Sequence, residues 1–111
     1  MIDILLATYN GAAFVEEQIR SIMAQTFTQW RLLVHDDGST DDTIEIVERL
    51  SEEDARILLI RDEQKHMGVA RHFIHMLQYV EASYCMFCDQ DDVWLPHKIE
   101  KMYALLKDRR Q

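Results

Sequence analysis

Five aspartates stand in two short runs, Asp36 and Asp37 in VHDDGSTDDT, then Asp89, Asp91 and Asp92 in FCDQDDVWLP. Two like charges about 4 Å apart repel by about 4 kcal/mol at an effective dielectric of about 20. A group packed this closely either raises its pKa values or holds a cation. Oxygen-only ligands point to Mg2+ or Mn2+ rather than zinc, and an ion held by one or two carboxylates completes its shell with water and substrate phosphate. Turn and cap chemistry accounts for Asn10, Gly11, Gly38, Asp41 and Asp42. It accounts poorly for DQDD, which runs straight into apolar Val93, Trp94 and Leu95. Tyr9 has two readings: it packs against a nucleotide base, with Asp37 accepting from a base N–H or a ribose hydroxyl, or it covers the sheet edge. Neither G-x-G-x-x-G nor G-x-x-x-x-G-K-[ST] occurs, and there are 3 glycines in all, which argues against dinucleotide binding and P-loop hydrolysis.

Such residues need elements to position them. Ile2 to Ala7, Trp30 to His35, Arg56 to Ile60 and Tyr84 to Cys88 are short apolar runs suited to strands buried on both faces. Between them, residues 12 to 25 place Val15, Ile19, Ile22 and Met23 at helical spacing, and Ile44, Val47 and Leu50 line a second helix. Ser39 or Thr40 is expected to cap that helix, with Asp41 and Asp42 in its first turn. Val69, Phe73, Met76, Leu77 and Val80 form a third stripe. Ile99, Met102, Tyr103 and Leu106 form a fourth, with Pro96 suited to the first helical position. Four rounds of strand and helix predict an α/β fold: an open parallel sheet of about four strands with helices on both faces. In such sheets ligands bind beyond the carboxyl ends of the strands, which is where Thr8 to Gly11, Asp36 to Gly38 and Asp89 to Asp92 fall.

The 111 residues fit a single domain, and 48% hydrophobic with 29% charged residues is the balance of a soluble globular chain. A formal charge of −8 argues against nucleic acid as a partner. No apolar run reaches the length of a membrane span, and the first residues lack a basic signal-peptide region, so a cytoplasmic location is expected. Cys85 and Cys88 form a C-x-x-C pair without two further zinc ligands at suitable spacing; on a strand they point to opposite faces, and core packing is the expectation. The five histidines are scattered. His72 and His75 can share a helix face, but no carboxylate cluster at matching spacing accompanies them, and they are expected to be surface or satisfied side chains.

In order and spacing, ILLATYNGAAFVEEQIRSIMAQTF, VHDDGSTDDT and FCDQDDVWLPHKIEKM resemble the nucleotide-sugar-binding half of family 2 glycosyltransferases with the GT-A fold. The match spans essentially the whole chain, with AQTF at 24–27 between the first two motifs. The resemblance implies that Tyr9 packs on the donor base with Ala7 and Thr8 as neighbouring contacts. It implies that Asp37 binds the base and Asp36 supports the loop. Asp89 and Asp91 correspond to the D-x-D pair that holds Mn2+ or Mg2+, with Asp91 ligating the metal on the diphosphate and Asp89 near the ribose. Asp92 is implied as an outer-shell partner, and Arg71 as a donor-side arginine.

The implied activity is transfer of a sugar from a UDP- or dTDP-linked donor to a sugar or lipid-linked acceptor, with inversion. The setting implied is bacterial cell-surface polysaccharide synthesis, at the inner membrane face. In that family the general base lies in the acceptor half, and nothing between Pro96 and Gln111 matches it. The expectation is therefore a donor-binding half, residues 1–111, truncated before the acceptor half, with exposed apolar surface near its end that favours self-association. Trp94 and Tyr103 are candidates for that exposure, against a default of core packing. The competing reading is a non-catalytic module that binds nucleotide-sugar or a partner protein. A phosphoacceptor receiver domain is disfavoured, because strand one is followed by Thr8-Tyr9-Asn10 and a fifth strand is lacking. A sugar-nucleotide pyrophosphorylase would need a glycine-rich basic loop after strand one.

Overall fold

Ile2, Ile4 and Leu6 on the first strand, β1 (Ile2–Thr8), are fully buried on one face, and Leu5 is fully buried on the other. A strand covered on both faces has to sit inside a sheet, and β1 does. It pairs in parallel with β2 (Trp30–Asp36) on one side and β4 (Tyr84–Cys88) on the other, while β3 (Ile57–Leu59) pairs with β2. The strand order is β3-β2-β1-β4. The computed structural model describes residues 1–89 and 92–109, and among them four helices alternate with the strands: α1 (Val15–Met23), α2 (Thr43–Glu53), α3 (Val69–Leu77) and α4 (Lys98–Arg109). The expected α/β class, open parallel sheet and helices on both faces are present, but burial on both faces holds only for β1 and β2: of the described helices α3 alone covers its side of the sheet, and Leu58 of β3 and Phe87 of β4 are exposed. None of the helices is long and apolar enough to cross a membrane.

The helices divide between the faces for a topological reason. The β1–β2 and β2–β3 connections step in one direction, whereas β3–β4 steps back across two strands. With a fixed crossover hand, the returning helix belongs on the opposite face. Val15, Ile19 and Ile22 of α1, Val47 and Leu50 of α2, and Ile99 of α4 pack on the Ile2, Ile4 and Leu6 face. Met76 of α3 packs on Leu5 and Leu33 from the other side.

Several sequence expectations shift. Helix α2 starts at Thr43, later than a Ser39 or Thr40 cap would place it; Asp42 is its N-cap residue, and the Thr43 N–H bonds Asp41 Oδ1 at 3.1 Å. Ser39 and Thr40 serve the neighbouring loop instead. Pro96 lies in a turn two residues ahead of α4, and its carbonyl accepts the Thr26 N–H at 2.9 Å. On α3 the inward residues are His72 and Met76, while Val69 is 78% exposed because it opens the helix at a cavity rim. Cys88 is buried in the core, and burial pushes its thiol up to about 12, far from thiolate chemistry. Cys85, on the opposite face of β4, is exposed. Trp94 is buried, and Tyr103 is half-buried against Phe27 at 4.9 Å between ring centroids. Exposed apolar surface near the end of the chain is carried by Val93, Leu95, Met102 and Leu105 instead.

Candidate functional site

Between β1 and β4 the chain changes crossover direction, and an open α/β sheet has a crevice at such a point. A cavity of about 510 Å³ lies there. The end of β1 contributes Ala7, Thr8 and Tyr9; the residue after β2 contributes Asp37, and the residue after β4 contributes Asp89. The wall opposite is the entry to α3, with His66, Gly68, Val69, His72 and Phe73. Five of the residues singled out from sequence thus share one cavity. Arg71 is exposed on the first turn of α3 and is not among the lining residues. Asp91 lies outside the described residues. Asp92 is half-buried; its N–H bonds the Asp89 carbonyl at 3.0 Å and its carboxylate stands 3.7 Å from Lys98 Nζ.

The two aspartates of DDGS do different work. Asp36 holds the loop: its Oδ1 accepts from Thr8 Oγ1 at 2.7 Å and its Oδ2 from the N–H groups of Gly38 and Ser39 at 3.1 and 2.7 Å. Asp37 is buried at the cavity wall, where Oδ1 accepts the Met67 N–H at 2.8 Å and Oδ2 the Gly68 N–H at 3.1 Å. Burial alone would raise its pKa. The two backbone donors and the neighbouring His72 and His66 outweigh burial and leave it lowered, so Asp37 is a carboxylate. Each oxygen keeps a second lone pair with which to accept from a ligand.

The loops after β1 and β2 are knitted into one rim. Asn10, at φ 48, donates its N–H to Ser39 Oγ at 2.8 Å and accepts the Thr40 N–H at 2.8 Å. The Gly11 N–H bonds Thr43 Oγ1 at 2.9 Å. Gly38, at φ +97, requires a left-handed backbone, and a Cβ there would stand 2.7 Å from His66 Cε1. The glycine therefore lets the His66 ring approach the loop beside the cavity.

Sequence reasoning missed three polar side chains that place the segment after β4. Gln18, fully buried on α1, donates to Cys88 Sγ at 3.1 Å and to the Asp89 carbonyl. Gln25 donates to the Leu95 carbonyl at 2.7 Å and accepts the Ile99 N–H at 3.0 Å. Thr26 hydrogen-bonds Glu100 at 2.8 Å. The AQTF motif is thus a clamp on the VWLPHKIE segment. The sequence marks AQTF as part of the family resemblance, but no local spacing identifies the partners of Gln25 and Thr26.

A histidine network was also missed. His35, buried at the end of β2, reaches His72 Nε2 through Nδ1 at 2.7 Å and Asp62 Oδ1 through Nε2 at 2.7 Å. His75 Nε2 and the Tyr79 hydroxyl each stand 2.7 Å from Asp62 Oδ2. His72 is thus a satisfied buried histidine. The carboxylate absent from the local spacing is supplied by the loop after β3.

The Glycosyl transferase family 2 pattern matches residues 3–111. Among curated relatives, the chain is 28% identical over 110 residues to a putative teichuronic acid biosynthesis glycosyltransferase, TuaG, of Bacillus subtilis (strain 168), covering 98% of this chain and 43% of that one. It is 32% identical over 106 residues to the UDP-Glc:alpha-D-GlcNAc-diphosphoundecaprenol beta-1,3-glucosyltransferase WfgD of Escherichia coli, covering 96% of this chain and 41% of that one. Among solved structures, S. aureus TarS 1–349 in complex with UDP-GlcNAc superposes with a TM-score of 0.85 at 24% identity, over 96% of this chain and 31% of that one; this likeness shows the fold. The chain spans about two-fifths of the length of these curated relatives. With the strand order and the rim in agreement with a family pattern that spans residues 3–111, this chain belongs to glycosyl transferase family 2.

Proposed function

We propose that the chain is the donor-binding part of a glycosyltransferase that moves a sugar from a pyrimidine nucleoside diphosphate to an acceptor hydroxyl, with inversion. The observation that carries this reading is the cavity at the switch point, which Tyr9, Asp37 and Asp89 line together. Tyr9 offers a face for the base and Asp37 a fixed acceptor for its N–H. Ala7 and Thr8 line the same cavity, and Arg71, exposed on the first turn of α3, is a donor-side cation for the diphosphate. UDP-Glc in the name of WfgD and UDP-GlcNAc bound to TarS support a uridine donor, and dTDP-linked sugars share the same pyrimidine edge.

The donor set fits a hard divalent cation. Asp89 is exposed at the cavity rim, and no described residue hydrogen-bonds its carboxylate. Asp89 and Asp91 would hold Mn2+ or Mg2+, which supplies charge stabilisation to the leaving diphosphate. The general base on the acceptor is assigned to no residue of this chain. Relatives in teichuronic acid synthesis and on a diphosphoundecaprenol acceptor support a role in cell-surface polysaccharide synthesis, on the cytoplasmic side of the membrane where lipid-linked acceptors are built.

A thermal-shift panel of UDP, dTDP, GDP and ATP, each with and without Mn2+, tests the reading. Ligand at a hundredfold excess over Kd stabilises by about 2.7 kcal/mol, a shift of several degrees for a domain of this size. A metal-dependent shift with UDP or dTDP is the expected result. Equal shifts with ATP, or none with any nucleotide, would overturn it.

A further inference from the structure

We propose that His35, Asp62 and His75 form a binding site for a late first-row divalent cation of the zinc type, on the α3 face of the sheet and apart from the D-x-D aspartates. Three separate elements deliver the ligands: the end of β2, the loop after β3, and α3. One ligand atom from each residue lies within 4.8 Å of the others. A tetrahedral ion with bonds of about 2.0–2.1 Å needs ligand edges of about 3.3 Å, so the cluster has to close by a small side-chain movement. Two imidazoles and one carboxylate are a borderline donor set that favours Zn2+, Co2+ or Ni2+ over Mg2+ and Mn2+.

The surroundings are those of a supported metal site. Two of the ligands are held from behind: His35 Nδ1 by His72 Nε2 at 2.7 Å, and Asp62 by Tyr79 and by the Gln64 N–H at 3.1 Å. Such partners fix ring orientation and tautomer, and their presence is characteristic of metal-ligating histidines. The site is also reachable. Asp62 and His75 side chains are 20% and 17% exposed, and a cavity of about 310 Å³ lined by His35, Asp62 and Lys65 adjoins them, with room for a water as fourth ligand.

The proton accounting closes without an outside acid or base. Without a cation, ionised Asp62 only accepts, so both imidazoles present Nε2–H to it. On binding, each imidazole proton moves from Nε2 to Nδ1. His72 Nε2 then accepts from His35, and the exposed Gln78 amide, which keeps its N–H on the His75 carbonyl, releases the ring so that water accepts from His75 Nδ1. Neutral histidines remain neutral. The same exchange makes His72 an acceptor at Nε2, so its own proton passes to Nδ1, and the change reaches the wall of the larger cavity, which His72 lines.

Titration of the 111-residue chain with Co2+ and Zn2+ tests the site. We expect one equivalent of Co2+ with the visible absorption of a four-coordinate nitrogen–oxygen site, displaced by Zn2+ and untouched by Mg2+ or Mn2+. His75→Gln keeps a donor to Asp62 but removes the imidazole, and should weaken Zn2+ binding by at least about tenfold with an unchanged far-UV spectrum. If that variant misfolds, Asp62→Asn serves the same purpose. No binding at a hundredfold excess of metal would overturn the proposal. So would equal binding by the variant, or a Co2+–thiolate band implicating exposed Cys85.

Discussion

Gly68 donates its backbone N–H to Oδ2 of Asp37 at 3.1 Å, and Met67 donates to Oδ1 at 2.8 Å. One carboxylate thereby ties the exit of β2 to the start of α3, and both ends of the tie line the cavity at the switch point. In Asp37→Asn an amide N–H replaces one accepting oxygen and meets a backbone N–H. The loss should be about 1–3 kcal/mol, a fall of several degrees in melting temperature, together with weaker nucleotide binding. Calorimetry with and without UDP checks both; an unchanged melting temperature would show that the carboxylate does not hold the helix.

Tyr9 is half-exposed at the cavity wall, and in the proposed role its ring is a packing surface for the base. Tyr9→Ala should cost about 1–3 kcal/mol of affinity, by similar amounts for UDP, dTDP and GDP. Isothermal titration against the three nucleotides reads this directly. A loss confined to one base would contradict a packing role.

Asp91→Ala should abolish the Mn2+-dependent part of UDP affinity while leaving the fold intact, because the residue's assigned work is on the ion. The comparison is UDP binding with Mn2+ and with chelator, in wild type and variant. Unchanged binding in Mn2+ would remove Asp91 from the site.

Gln25 joins α1's end to the segment before α4, donating to the Leu95 carbonyl at 2.7 Å and accepting the Ile99 N–H at 3.0 Å. Gln25→Ala leaves a buried N–H without its partner, at a cost of about 1–3 kcal/mol, and releases the clamp on residues 95–99. Hydrogen exchange should speed up at Ile99 before it does in β1. Uniform protection across both would mean that the clamp is redundant.

Asp3 is buried and makes a paired contact with Arg31, at 3.0 and 2.9 Å, and accepts the N–H groups of Glu81 and Ala82 at 2.8 and 3.0 Å. Burial works to raise its pKa, and Arg31 with the two backbone donors outweighs it, leaving the value below the ordinary 3.8. A lowered carboxylate stabilises the fold fully above its unfolded value and loses that contribution as pH falls through the folded one. Asp3→Asn should therefore destabilise the protein at pH 7 by about 1–3 kcal/mol, with the penalty shrinking below pH 3.8. Urea unfolding at pH 7 and pH 3 measures it; a penalty independent of pH would assign the effect to packing.

The elements were legible because each carries a local period: the apolar run Tyr84 to Cys88 is β4 to the residue, and the Val15, Ile19 and Ile22 stripe is the buried face of α1. Their ends were less so. Ser39 and Thr40 look like caps by residue type, but Asn10 and Asp36 engage them first, and the helix begins at Thr43. Val69 fits the α3 stripe by spacing and is exposed all the same, because periodicity cannot report what lies opposite a helix.

By itself the sequence determined the strand–helix alternation, the burial of both faces of β1 and β2, and the placing of Thr8, Tyr9, Asp37 and Asp89 at or just beyond strand ends, since these follow from residue type and short-range spacing. Tertiary structure alone decided that β1 lies between β2 and β4, which brings Asp89 to the same cavity as Asp37. It alone joined His35 to Asp62, His72 and His75, and Gln25 to Leu95. Hydrogen bonds between single polar side chains far apart in the chain leave no period to read: the pairing of β2 with β3 brings Asp62 to His35, and the crossing of β3 back to β4 brings α3 and the segment after β4 to theirs.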